Sequence, residues 1–234
     1  TKNYFSGPKS ELPEESGGWC DYMVELEFFK SMPEGIRKDA WFLTKVTMTG
    51  QERNPETGRY PLLNWDDPAT NQKHPYWKKN IESSDWVFNY DDGYYETKGI
   101  SSASGKTRMI FRYADILLLY AEAVAYGTKS IDDLAFDCMW RVQERAGVPL
   151  ISKDVTKEYF QKAVLDERRW ETAGMEHSCM GRFFTMQRHE ILHLQKNYRD
   201  AAELSLNPNL TLSEEFYYFP IPDNELLIVP GLKD

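Results

Sequence analysis

The strongest constraint on the fold is a change of periodicity at Arg112. In FRYADILLLYAEAVAYG, apolar residues fall at 113, 116, 117, 120, 123 and 124. That stripe repeats every 3.6 residues and predicts a helix that stops at Gly127. A second helix is predicted over 131–146, with Ser130 as N-cap, Asp133 three residues on, and Gly147 and Pro149 as stop signals. The two helices and their turn span about 35 residues, close to the roughly 34 of a tetratricopeptide unit. A second pair is predicted over 156–173 and from 182 to about 198.

The flanking segments read differently. Residues 1–107 carry Gly, Pro, Asn, Asp and Ser every few positions and show poor helical period. Within them, DAWFLTKVTMTG (39–50) is a strand candidate, rich in β-branched and aromatic residues. The tail, EEFYYFPIPDNELLIVPGLKD, is apolar and broken by prolines, and is expected to pack back over the helices as extended chain. The resulting division is a loop-rich region (1–107), a helical scaffold (108–198) and a C-terminal tail (199–234). The fold class expected is mainly α: tetratricopeptide-like helix pairs with long irregular loops and little β.

Composition removes several functions. A net charge of -9 without a dense Lys/Arg block disfavours nucleic acid and polyanionic substrates. No apolar run reaches the roughly 20 residues a membrane helix needs. The opening TKNYFSGPKSELPEE has no secretory leader, which leaves a cytosolic protein or a mature or partial chain. Cys20, Cys138 and Cys179 lie far apart and make no disulfide framework.

One catalytic motif needs weighing. HEILH (189–193) has the H-E-x-x-H pattern of zinc peptidases. On a helix, His189 and His193 would share a face and could hold Zn²⁺, with Glu190 as general base. The third ligand would have to be Glu203, Glu214 or Glu215, since no His follows His193. Arg182, Arg188 and Lys196 set positive charge around the pair, which opposes a metal ion. A mixed-charge helix face carrying two histidines is the simpler account.

Several stretches together are more specific. FRYADILLLYAEAVA (111–125) resembles the R-x-A-D-x-L-L-x-Y-A-E-A helix of the SusD/RagB family of outer-membrane nutrient-binding lipoproteins. WRVQERAGVP (140–149) is similar to that family's R-x-R-A-G helix end. LDERRWETAG and GRFFTMQR (165–188) resemble its E-R-R-x-E-L-x-x-E-G-x-R-x-x-D-L-x-R segment. FYYFPIPDNELLIVPGLKD (216–234) resembles its C-terminal P-I-P-x-x-E-x-x-x-N-P-x-L. RKDAWFLTKVT (37–47) is a fifth match. The chain departs from these patterns at Thr185 (Asp in the family), at an insertion around 177–180, and at Val229 (Asn in the family). Family members are longer, and the resemblance is to their C-terminal half.

The matched positions read as scaffold. Arg112 and Asp115 are i,i+3 neighbours, and Asp115 and Glu122 lie two turns apart on one helix face. Glu167, Arg168, Arg169, Glu171, Arg182 and Arg188 are placed to form an ion-pair network between helices. Pro220, Pro222 and Glu225 belong to the C-terminal motif. None of these is expected to be catalytic, and no cofactor is expected.

Function is expected in loops carried on that scaffold. Residues 64–99 are polar yet hold Trp65, Tyr76, Trp77, Trp86, Tyr90, Tyr94 and Tyr95. Flat aromatic faces cover the C–H faces of sugar rings, and neighbouring Asp, Asn and Gln bind the hydroxyls. Trp65, Trp77, Trp86 and Tyr90 are the first candidates; Tyr76, Tyr94 and Tyr95 follow. The competing role for each is core packing. NYDDG (89–93) is an acidic glycine turn whose spacing does not fit an EF-hand. The resemblance implies a non-catalytic glycan-binding protein on the bacterial outer membrane, anchored by a lipid outside this chain and serving a TonB-dependent (SusC-like) transporter. The alternatives are a helical-repeat protein-interaction module and, further behind, a zinc metallopeptidase.

Overall fold

The computed structural model describes residues 23–47, 52–59, 61–70, 73–78, 86–88, 95–97, 109–174, 176–194, 199–206, 217, 220–229 and 231. Its centre is a three-helix unit: α3 (Tyr113–Tyr126), α4 (Asp133–Ala146) and α5 (Lys157–Thr172). Helix α3 packs against both of the others. Its buried face is Ala114, Leu118, Ala121, Glu122 and Ala125. Three of those five side chains are methyl groups, so the neighbouring helices can approach closely.

Each of these helices begins where a side chain can satisfy its free N–H groups. At α3 the Arg112 backbone N–H donates to Asp115 Oδ2 (2.9 Å), closing a capping box. At α4 the cap is Asp132, which accepts from the Ala135 N–H at 2.8 Å. The sequence had pointed to Ser130; the carboxylate two residues later takes the position and also accepts from the Tyr120 hydroxyl at 2.9 Å. Thr156 caps α5 by accepting from the Tyr159 N–H. Gly147 ends α4 in the left-handed conformation (φ 68°) that a Cβ disfavours. Between the helices lies an apolar core that includes Leu118, Met139, Val142, Phe160 and Val164, with Phe136 and Phe160 edge to face at 4.8 Å.

Before this unit come α1 (Leu26–Ser31) and α2 (Ile36–Trp41) and three short antiparallel ladders. Strand β1 (Phe42–Leu43) pairs with β4 (Tyr76–Trp77), β2 (Lys45–Thr47) with β3 (Leu62–Asn64), and β5 (Trp86–Phe88) with β6 (Tyr95–Thr97). The strand expected over 39–50 is therefore two short strands that begin only where α2 ends. A second core joins the two regions: Val24, Phe28, Met32, Phe42 and Trp77, flanked by Trp170 and Ala173 from the end of α5.

Beyond the unit, α6 covers Glu176–Arg188, earlier than the 182–198 read from sequence. The tail contains α7 (Ala201–Leu206) and α8 (Asp223–Ile228) where extended chain was expected, and α8 buries none of its residues. Six-residue helices leave no periodic signature long enough to read. Among the described residues no helix is long and apolar enough to cross a membrane.

The joint between the two cores is tight at Gly174. Its φ is +64°, and a Cβ there would lie 2.6 Å from Cε3 of Trp77. Gly174→Ala should therefore destabilise the protein by about 2–3 kcal/mol, from the backbone conformation and the overlap together. Urea denaturation checks this; an unchanged midpoint would contradict the packing described.

Candidate functional site

Of the aromatic candidates whose side chains are described, Trp65 is the partly exposed one. It follows β3 in a turn held by its own N–H donating to Thr44 O (2.8 Å) and its carbonyl accepting from Thr70 Oγ1 (2.8 Å). The Asp67 side chain accepts from the Ala69 N–H (2.8 Å), and Lys73 Nζ donates to the Asp67 and Pro68 carbonyls. The ring is half-buried, with Phe29 edge-on at 5.8 Å. Exposed Asn64 and Asp66 flank it.

Trp77 and Tyr76 are placed otherwise. They are 9% and 6% exposed, and the Trp77 ring is enclosed by Phe28, Phe42 (5.1 Å between centroids) and the Gly174 backbone. A ring enclosed on both faces has none to offer a ligand, so these two take the core role. Apolar burial drew them in, because a region of short ladders needs large side chains to exclude water. Trp86 and Tyr95 enter the β5–β6 ladder, opposite Thr97 and Phe88. Tyr90, Tyr94 and the acidic turn 89–93 lie outside the described residues.

The charged candidates gather at two buried carboxylates. Glu171, on α5, meets Arg37 of α2 (3.1 Å), Arg112 at the start of α3 (2.7 Å) and Arg145 of α4 (2.5 Å). Arg37 also bonds Glu167, one turn earlier. Glu122, on α3, meets Arg168 (2.9 Å), Arg188 (2.5 Å) and His189 Nε2 (2.8 Å). Burial alone would raise the Glu122 carboxyl. The hydrogen bond from Arg188, the Arg168 charge and the contact with His189 instead hold it below its ordinary value. At Glu167 burial prevails over the Arg37 charge, and its carboxyl is pushed up. Of the six residues placed in the predicted network, Glu167, Arg168, Glu171 and Arg188 pair with residues of other elements, while Arg169 meets Asp166 of its own helix. Arg37, Arg145 and His189 were not among the candidates for it. Arg37 is 134 positions from Glu171, and no local pattern links them.

The HEILH stretch is not α-helical, and the third-ligand candidates Glu214 and Glu215, with the side chain of Glu203, lie outside the described residues. Helix α6 ends at Arg188, and Glu190 has φ 55°. The chain therefore turns between the two histidines. His189 points to Glu122 and lies on the Tyr126 ring at 4.0 Å, while His193 is exposed. Among the described residues no three His, Cys, Asp or Glu are grouped to hold a metal.

One further concavity of about 460 Å³ lies between α5 and the 148–155 loop. Its walls include Val148, Leu150, Val155 and Ala163, and its rim Ser152, Tyr159, Lys162 and Asp166. It has room for a small ligand, and its lining also includes Gln143 and Glu167.

The SusD family model matches residues 1–234. A SusD superfamily protein of Parabacteroides distasonis aligns with a TM-score of 0.62 and 17% identity, over 98% of this chain and 45% of that one. A SusD homologue of Bacteroides thetaiotaomicron gives 0.61 and 18%, over 97% and 46%. Surface glycan-binding protein A of Bacteroides uniformis gives 0.53 and 17%, over 98% and 45%. The chain thus spans just under half the length of these structures. A search of curated protein sequences found no match.

Removing the Glu122 charge should be costly, because it strands Arg168 and Arg188 around a neutral group. Glu122→Gln is expected to cost about 3–5 kcal/mol. The pH dependence follows from the two carboxyls. Glu122 stays ionised in the folded protein below the ordinary 4.5. Its contribution is complete above that pH and is lost as pH falls through its lowered value. Glu167 holds its proton above 4.5 in the folded state, so it contributes below that pH and loses stability as pH rises. Urea midpoints across the acidic range should show that Glu122→Gln removes part of the acid-side loss. Glu167→Gln should gain relative to wild type as pH rises. Parallel profiles for both variants would refute the assignment.

Proposed function

The chain belongs to the SusD family, and from that premise we propose that it binds neutral oligosaccharide or polysaccharide at the bacterial outer-membrane surface without catalysing a reaction. The bound glycan passes to a TonB-dependent transporter, and the longer protein is held at the membrane by a lipid anchor. The observation that carries the binding reading is Trp65: a half-exposed indole on a hydrogen-bonded turn, flanked by exposed Asn64 and Asp66. Trp86, with Tyr90, Tyr94 and Tyr95 nearby in sequence, completes the proposed platform. The name of the Bacteroides uniformis relative supports a glycan as the ligand class. A net charge of -9 favours neutral sugars over uronic-acid polymers.

Binding of this kind needs no reactive group. Stacking covers the apolar ring face, and polar side chains replace the water lost from the hydroxyls. The buried carboxylates suit such a protein because each is held by arginines, so neither is free to donate or take a proton from a substrate.

Affinity electrophoresis against a panel of neutral polysaccharides tests the proposal. Retardation by one of them is expected. Two stacking contacts of about 1 kcal/mol each imply that the Trp65→Ala/Trp86→Ala double variant weakens binding about 30-fold. Trp77→Ala should instead lower the melting temperature and leave the affinity of the folded fraction unchanged. If Trp77→Ala removes retardation from a folded protein and the double variant does not, the platform is misplaced.

A further inference from the structure

One side of α5 borders the concavity at the 148–155 loop. Tyr159, Lys162, Ala163, Asp166, Glu167 and Trp170 recur at intervals of three and four, which places them along a single side of the helix. All six line the concavity, whose volume is about 460 Å³. Small-molecule sites occupy roughly 300–1,000 Å³. Tyr159 is 59% exposed, whereas the side chains of Asp166 and Glu167 are 21% and 1% exposed. Exposure thus falls along this side of α5, from an open mouth at Tyr159 to a closed end at Glu167. Pro33, Val148 and Val155 add apolar wall.

Two polar atoms belong to the residues at that closed end. Trp170 Nε1 and Glu167 Oε2 are both buried, and among the described residues neither has a hydrogen-bond partner. The other Glu167 oxygen is taken by Arg37. Gln143, a further neighbour of that carboxyl, commits its own oxygen to the Ile151 N–H at 2.9 Å. Buried polar atoms in folded proteins are nearly always paired. A donor and an acceptor one turn apart therefore call for a molecule that offers the complementary pair. The charges nearby are already engaged. Arg37 pairs with Glu167, burial pushes the Glu167 carboxyl up, and Lys162 and Asp166 pair at the mouth at 3.1 Å. A charged ligand would find no free counter-charge among these groups.

We propose that this concavity is a ligand site separate from the Trp65 turn, and that it takes a small neutral polyol of monosaccharide size. One hydroxyl oxygen accepts from the Trp170 N–H, and a neighbouring hydroxyl donates to Glu167 Oε2. The C–H edges of the molecule meet Val148, Val155 and Ala163. Adjacent hydroxyls of a ring can face the same way, which suits two protein groups on one side of a helix. The carbonyl and N–H of a trans amide point in opposite directions and suit them less. The assignment rests on these two atoms and does not depend on the platform at Trp65.

The test is a titration of the ¹⁵N-labelled protein with glucose, galactose, mannose and xylose, following the assigned indole N–H resonance of Trp170. At least one sugar should move that resonance saturably, and Trp65→Ala should leave the movement unchanged. Trp170→Phe keeps the ring but removes the donor. Measured by calorimetry in the Trp65→Ala/Trp86→Ala background, it should weaken binding of the same sugar about fivefold, the effect of one neutral hydrogen bond. A Trp170 resonance that no sugar moves would overturn the proposal, whether or not Trp170→Phe folds. So would a movement abolished by Trp65→Ala, which would place the sugar at the platform. A resonance moved by N-methylacetamide and by none of the sugars would overturn the polyol class and assign the site to an amide. Loss of polysaccharide retardation in the Trp65→Ala/Trp86→Ala variant, with the Trp170 movement intact, would separate the two sites and uphold this one.

Discussion

One buried carboxylate, that of Glu171, ties four helical elements together. It sits near the end of α5 and receives arginines from α2, from the first residue before α3 and from α4. Its side chain is 1% exposed, as is that of Glu167 one turn away. Burying such groups is unfavourable unless they are paired and hydrogen-bonded. Here each arginine reaches the hub only if its own helix is in place. The guanidinium of Arg112 also closes on Asp115, so the residue that caps α3 is the one that joins it to α5. Apolar packing supplies the drive for collapse, and the hub selects one arrangement among the many that packing would accept.

Glu122 does the same on the other side of α3. It draws together Arg168 of α5 and the end of α6, where Arg188 and His189 lie. This explains why a stretch that resembles a zinc motif is something else. His189 is used as a hydrogen-bonding partner of a carboxylate already neutralised by two arginines, and the chain turns at Glu190 before His193 can join it. The letters of the motif are present, but the helix they require ends at Arg188, before the motif begins.

What could be read from the sequence follows from the range of the interactions. Helices α3, α4 and α5 were legible because their burial repeats every 3.6 residues over 14 to 16 positions. The cap at Ser130 was misread because two acceptors compete within three residues, and only the tertiary contact with Tyr120 distinguishes them. The short helices and two-residue strands leave no period at all. For the aromatic candidates the difficulty is different: a tryptophan that stacks on sugar and one that fills a core have the same local sequence signature. Trp65 and Trp77 stand 12 positions apart in equally polar surroundings. Their fates are separated by Gly174, more than 90 positions later, whose missing side chain makes room for one of the two indoles.

The two cores then bear on how the proposed platform residue Trp65 is held. Trp65 rests on Phe29, Phe29 on Phe42, and Phe42 on Trp77, which closes against the end of α5. The carboxylate of Glu171 lies at the same end of α5, clamped to Arg37 on α2. An aromatic chain and a charge hub thus fix the same segment of α5 from two directions, one non-directional and one geometrically strict. The turn at 65–70 adds only local hydrogen bonds, which is enough, because the larger part of the ordering entropy has already been met by the scaffold beneath it.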